Sequence, residues 1–254
     1  MIFAADIGNT HILVGGFEDK KILFTELLTT NITATDIEYG SLIEKVLTVN
    51  GHSLSSVTGA VISSVVPAVT ATVSNAVERF THVKPLIVGP GVKTGLKIKI
   101  DNPAQLGPDL VVSAVAGIKE YPVPQINIYM GTATAFSLID KDKTFRGTSI
   151  GAGVGVSADA LSKNTSQLPE VALETPHKVI GTNTVDSIKS GIMYQNAAKV
   201  DGMIDRIEEE YGSECTVIAT GRYAPSIIPL CRHKIVCDRY LILKGLMEVY
   251  SRNG

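Results

Sequence analysis

The 254-residue chain is 44% apolar and 19% charged, with a formal net charge of −2. Such a chain reads as an ordinary globular protein, long enough for one large domain or two small ones sharing a cleft. The charge gives no electrostatic case for nucleic acid or an anionic membrane, and the apolar runs stop short of the ~20 residues a membrane helix needs. The opening MIFAADIGNT lacks a basic region, a long apolar core and a small-residue cleavage site, so no signal peptide is expected. Cys215, Cys231 and Cys237 are scattered; with His233 between the last two, their spacing does not suit a metal site, and reduced thiols in a cytoplasmic protein are expected.

Residues 2–6 form a short apolar run that ends in Asp6 and a Gly-Asn turn. Runs at 12–17 and 22–28, separated by Glu18-Asp19-Lys20, complete three strands joined by tight connections. Thr35 and Glu38 form a capping-box pattern and predict a helix start ahead of Leu42, Ile43, Val46 and Leu47. A β-branched strand follows at 59–66. Pro67 then opens a helix carrying Val69, Val73, Val77 and Phe80 on one face. Leu86-Ile87-Val88 is the next short strand, and Gly107-Pro108 marks another helix start.

The second half repeats this plan, with strands at 125–130, 135–139 and 144–150. A long helix carrying Ile188, Ile192, Val200, Ile204, Ile207 and Tyr211 follows, then a strand at 217–219 and a closing helix at 241–251. Asp6-Ile7-Gly8 aligns with Tyr129-Met130-Gly131, roughly 120 residues on. The expected fold is α/β, with mixed sheets flanked by helices in two similar lobes, 1–118 and 119–254, and a cleft between them.

Three constellations can carry chemistry. In Asp6-Ile7-Gly8-Asn9-Thr10, Gly8 permits close backbone approach to phosphates, while Asn9 and Thr10 add side-chain donors. Asp6 would position Mg²⁺ through water. The same string also suits an ordinary Gly-Asn hairpin. In Gly107-Pro108-Asp109, the carboxylate stands near the positive end of a helix dipole, where it either stabilises the helix or accepts the proton of an attacking hydroxyl. That dipole is expected to keep Asp109 ionised and to lower its basicity. Gly131-Thr132-Ala133-Thr134 either closes on phosphates or is a Thr-rich strand turn.

Gly151-Ala152-Gly153-Val154-Gly155 lacks the setting of a dinucleotide loop and fits a close backbone approach between the lobes. His11 and His52 read as isolated loop or surface residues, and Glu208-Glu209-Glu210 as a solvated helix face.

Together these strings resemble the type III pantothenate kinases of the actin, acetate-kinase and sugar-kinase superfamily. The marks include Ser63-Ser64-Val65-Val66-Pro67, Asp101-Asn102-Pro103, Leu168-Pro169, Ile180-Gly181-x-Asn183-Thr184, Ser190-Gly191 and Val200-Asp201-Gly202. The resemblance implies two ribonuclease H-like lobes in a cytoplasmic homodimer that phosphorylates pantothenate with ATP, the first step of coenzyme A synthesis. It implies magnesium and a monovalent cation, K⁺ or NH₄⁺. By position, Asp6, Ile7, Gly8, Asn9, Thr10, His11, Ile12 and Leu13 would hold ATP together with Thr132. Asp109 would be the proton acceptor, and Ile100, Gly107, Pro108, Leu110 and a partner subunit's Thr184 would face pantothenate.

The chain also departs from that pattern. Leu110 stands where the family has an arginine suited to the pantothenate carboxylate, a loss worth roughly tenfold to a hundredfold in affinity. Ile100 replaces an aromatic, and Tyr129 and Ser137 replace acids, Tyr129 at the monovalent-cation position. Gly221-Arg222 replaces a Gly-Gly pair near the nucleotide. Two other expectations follow: a kinase for a different small hydroxylated substrate, or a nucleotide-binding paralogue with impaired catalysis that acts through a partner.

Overall fold

A computed structural model describes residues 1–19 and 21–254; Lys20, in the turn expected at 18–20, lies outside the described residues. The chain runs β1 (Ile2–Ile7), β2 (His11–Glu18), β3 (Lys21–Thr29), α1 (Asp36–Val49), β4 (Gly59–Ser64), α2 (Pro67–Thr81), β5 (Leu86–Ile87), β6 (Lys97–Ile98) and α3 (Pro108–Glu120). It continues β7 (Gln125–Met130), β8 (Ala133–Ile139), β9 (Thr144–Ala152), α4 (Val154–Lys163), α5 (Thr184–Tyr211), β10 (Thr216–Thr220), α6 (Ala224–Ile227), β11 (Val236–Cys237) and α7 (Leu241–Ser251).

The sheet orders are β3-β2-β1-β4-β5 and β11-β10-β7-β8-β9-β6. Apart from β6, the second repeats the first: an antiparallel three-strand meander whose first strand pairs in parallel with a later one. The fold is therefore α/β, with two mixed sheets flanked by helices.

Two compact units hold these sheets. Unit 1 comprises Met1–Leu96, Asn102–Lys119 and Leu241–Gly254; unit 2 comprises Lys97–Asp101 and Glu120–Tyr240. Compared with a division into 1–118 and 119–254, unit 1 gains Lys119 and the closing helix, and unit 2 gains Lys97–Asp101.

In unit 1, strand alternation sorts β1 between two faces. Phe3, Ala5 and Ile7 join Ile43, Leu47, Val73 and Val77 in the core beneath α1 and α2. Ala4 and Asp6 therefore point to the other face, where α7 crosses β1 and β4. Small residues permit that crossing. A Cβ on Gly59 would lie 2.0 Å from the Tyr250 hydroxyl, and one on Gly245 would lie 1.9 Å from the Val112 carbonyl oxygen of α3.

The expected helix starts have the expected chemistry. Thr35 Oγ1 accepts from the Glu38 amide at 3.3 Å, and Glu38 Oε2 accepts from the Thr35 amide at 2.7 Å. Pro67 and Pro108 open α2 and α3.

In unit 2, Ile126, Ile128, Met130 and Phe136 pack against Ile188, Ile192, Ala197, Val200 and Ile204 of α5. The opposite strand face carries a buried polar row, Gln125, Asn127, Ser137 and Thr220. Helix α4 begins inside the glycine-rich string at 151–155, because the string ends a strand and caps a helix through Gly153.

Several markers have structural tasks. Asn183 caps α5 by accepting from the Asp186 amide at 2.9 Å, and Ser190 Oγ donates to the Val179 carbonyl. Asp201 accepts from the backbone amides of Arg232 and His233.

Candidate active site

The Asp6–Thr10 string is the β1–β2 hairpin. The Gly8 amide donates to the His11 carbonyl at 3.0 Å, and a Cβ on Gly8 would stand 3.1 Å from that same oxygen. Thr30, just past the end of β3, secures the loop: its hydroxyl donates to the Gly8 carbonyl at 2.7 Å and its amide to the Thr10 carbonyl at 3.0 Å. Because the Gly8 amide is spent inside the hairpin, the exposed part of the loop is Asn9 and Thr10. His11 Nδ1 lies 3.0 Å from Thr10 Oγ1, so His11 belongs to the loop rather than standing alone. Ile7 and Ile12 are core residues and Leu13 is half-buried. Any contact of Ile7 or Ile12 with a ligand would have to come from their backbone.

Asp6 is buried, and parallel pairing sets it opposite Ser63 of β4. The Ser63 hydroxyl donates to Asp6 Oδ1. Burial, then the negative charge of Asp109, push the Asp6 carboxyl up to about 7, against the opposing pull of the Ser63 hydrogen bond.

Asp109 is half-buried in the first turn of α3. Its carboxylate folds back over Gly107, where a Cβ would meet Asp109 Oδ1 at 2.4 Å and a Val65 methyl at 3.6 Å. Gly107 is therefore needed for this rotamer. Burial raises the Asp109 carboxyl above its ordinary value, although the amides of Leu110 and of Asp109 itself pull it down. The expectation that the helix terminus lowers its basicity is corrected: desolvation outweighs the terminal N–H groups. Leu110, one residue on, is buried, as is every residue of α3 from there through Gly117.

Unit 2 gathers three connections. The Gly131 amide closes the β7–β8 turn on the Ala133 carbonyl at 2.9 Å. The Gly153 amide donates to the Thr132 carbonyl at 3.0 Å, and a Cβ there would fall 2.3 Å from that oxygen. This close approach of the glycine-rich string is made inside unit 2. Gly221, at φ +97°, lies against the Met130 backbone, and the Tyr223 amide donates to the Met130 carbonyl at 3.2 Å.

Arg222 places its guanidinium 5.6 Å from the centroid of the Tyr223 ring. The Tyr129 ring curls over Gly131, with its hydroxyl 3.1 Å from where a Cβ would be. Ser137 is buried, and its hydroxyl reaches Thr148 Oγ1 at 3.4 Å. Thr184 is exposed at the start of α5, and Ile100 is half-buried.

Two acids and a buried serine in unit 1, with Asp6 just ahead of the β1–β2 turn, suit phosphoryl transfer. A carboxylate such as Asp6 matches magnesium, which takes few protein ligands and keeps waters and phosphate oxygens. No group of three or more His, Cys, Asp or Glu positioned for a metal occurs among the described residues. Near the cysteines, His233 Nε2 pairs with Asp205 at 2.8 Å, and burial together with Asp201 pushes the Cys231 thiol up to about 12.

The sequence model described as type III pantothenate kinase matches residues 2–206. A type III pantothenate kinase of Bacillus cytotoxicus is 40% identical over 254 residues, covering 100% of this chain and 97% of the relative. The chain belongs to the type III pantothenate kinase family. Solved structures share the fold at low identity. A conserved Baf family protein of Campylobacter jejuni, described as a transcriptional activator, aligns at TM-score 0.59 and 16% identity over 99% of this chain and 98% of that one. A ROK family glucokinase of Streptomyces griseus, in complex with glucose and AMPPNP, aligns at 0.51 and 14% over 100% and 99%. For a type III pantothenate kinase, Ser63 is the residue whose role the sequence left unassigned. Only the β1–β4 register reveals it.

Proposed function

We propose that Asp109 is the proton acceptor and Asp6 the magnesium-positioning carboxylate of an ATP-dependent kinase that converts pantothenate to 4'-phosphopantothenate, the first step of coenzyme A biosynthesis. The carrying observation is that both acids belong to unit 1, close enough for the charge of Asp109 to help burial raise the Asp6 carboxyl.

In this reading the substrate hydroxyl gives its proton to Asp109 as its oxygen bonds to the γ-phosphorus of ATP, and ADP leaves. Burial makes Asp109 a stronger base than a solvated carboxylate, and the bare face of Gly107 leaves room for its orientation. Magnesium, when bound, neutralises phosphate charge; Asp6 would hold it through water. Asp6–Leu13 and Thr132 are the nucleotide residues of this reading; Ile100, Gly107, Pro108, Leu110 and Thr184 are its substrate residues. The test is turnover of ATP by the purified chain with pantothenate. No turnover of pantothenate or its close analogues, with or without potassium, sinks the reading.

The burial of Leu110 favours a second reading. An apolar side chain supplies no partner for a carboxylate, so a substrate bearing the same hydroxyl but an uncharged tail would lose less here. Comparing kcat/KM for pantetheine and pantothenate decides between them. ATP binding without turnover of either would leave a nucleotide-binding role exercised through a partner.

Exposed Ile150 at 64% and Ile180 at 78%, with Val179 and Val185 beside Thr184, support a homodimer through unit 2. Sedimentation equilibrium checks it. The Tyr129 ring over Gly131 supports independence from K⁺ or NH₄⁺, checked by replacing potassium with choline. No helix among the described residues is long and apolar enough to cross a membrane.

A further inference from the structure

We infer that Ser63 is a positioning residue for phosphoryl transfer, holding the Asp6 carboxylate in the orientation that serves magnesium. The inference rests on the role proposed above for Asp6.

Asp6, the next-to-last residue of β1, lies on the face turned away from the apolar core of α1 and α2. A carboxylate buried there has two oxygens to orient and needs a donor. Parallel pairing of β1 with β4 sets Ser63 directly opposite, and the Ser63 hydroxyl donates to Oδ1. Among the described residues this is the one hydrogen bond to the carboxylate.

Ser63 is itself fully buried, so water does not compete for its hydroxyl hydrogen. Its backbone is fixed by the register, and the chain just beyond it is fixed by a bond from the Val65 amide to the Ile7 carbonyl at 3.0 Å. One oxygen of Asp6 is thereby committed to the protein and the other is left for a metal-bound water. The neighbouring Ser64 has a different task. Its hydroxyl accepts from Thr70 Oγ1 at 2.7 Å and from the Val66 amide at 3.1 Å, securing the start of α2. Of the two adjacent serines, only Ser63 acts on the acid.

A purely structural hydroxyl would change melting temperature and nothing else. The test therefore reads metal preference: calorimetric affinity for ADP with magnesium against ADP in chelator. It uses wild type, Ser63→Ala, and Ser63→Cys, a nearly isosteric and weaker donor. Ser63→Ala should lose about tenfold of the magnesium preference, the effect of one hydrogen bond to a charged group. Ser63→Cys should fall between, and metal-free ADP affinity should be unchanged in both. The KM for MgATP should rise in the same order.

A variant with the wild-type magnesium preference overturns the role of Ser63 while leaving the kinase reading intact. Wild type with no magnesium preference overturns the role of Asp6 and Ser63's with it. If Ser63→Ala does not fold, as judged by circular dichroism, Ser63→Cys decides alone by the same criterion.

Discussion

The turns after β1 and β7 occupy matching places in sheets of matching strand order, yet one strand carries a buried carboxylate at its next-to-last residue and the other a phenol. Parallel pairing sets Asp6 beside Ser63 in unit 1 and Tyr129 beside Thr220 in unit 2. The backbone solution is shared and the chemistry is not. Unit 1 spends its turn on a desolvated acid with one donor and a second acid nearby. Unit 2 uses tight backbone contacts among Gly131, Gly153 and Gly221, with an aromatic ring laid over the turn. A scaffold repeated within one chain can therefore assign charge to one copy and shape to the other.

The sharpest way to break this comparison is Asp109→Asn. Removing the proton acceptor should lower kcat by ~10²–10⁴-fold with little change in ATP affinity, as measured by steady-state kinetics and calorimetry. Full activity would remove Asp109 from the reaction.

Next in size is Asp6→Asn, read as stability of the ligand-free protein in chelator. The folded-state value of Asp6 is raised from 3.8 to about 7, so the folded chain keeps a proton that the unfolded chain releases. Stability from this group is complete below about pH 4 and is lost as pH rises through about 7. Asp6→Asn should thus be more stable than wild type at pH 8, by up to about 4 kcal/mol at ~1.4 kcal/mol per tenfold change in proton affinity. The gain should vanish near pH 4. Urea melts at the two pH values check it, and a pH-independent difference would contradict the burial argument.

For unit 2, Gly153→Ala should raise the KM for ATP by about tenfold, because the added methyl collides with the Thr132 and Gly131 carbonyls, a cost of order 1–3 kcal/mol. An unchanged KM would show that the tightness of this turn does not serve the nucleotide. The smallest effect is expected of Tyr129→Asp, which gives unit 2 the carboxylate of unit 1. Wild type should turn over equally in potassium and choline, and the variant should gain a modest potassium stimulation. Potassium dependence of the wild type would reverse the reading of Tyr129.

Much of this was legible in the sequence because it is local. The strand runs, the Thr35–Glu38 cap, the proline helix starts and the repeated hairpin each show within a few residues. Asp6 and Asp109 were visible as acids at strand and helix ends. What stayed hidden depends on pairing across long separations. Ser63 reads as one serine in a marker string until β4 lies in register with β1. The direction in which the Asp109 carboxyl shifts was misjudged because helix dipoles can be read from sequence and burial cannot. The short α4 escaped notice because glycines signal turns, and here they cap a helix against another turn. The rotamer of Tyr129 is equally invisible, since spacing says nothing about which way a ring folds.

Helix α7 covers the face of the unit 1 sheet that bears Ala4 and Asp6, yet it lies more than two hundred residues downstream of them. On the ribosome, β1 through α3 emerge long before their lid. Until Leu241–Ser251 follow, the floor around Gly59 and the Val112 side of α3 lack the surface they are shaped to receive. Completion of the acid-bearing unit is therefore a late event in biosynthesis. A ribosome stalled within unit 2 would display an unfinished unit 1 to chaperones and proteases.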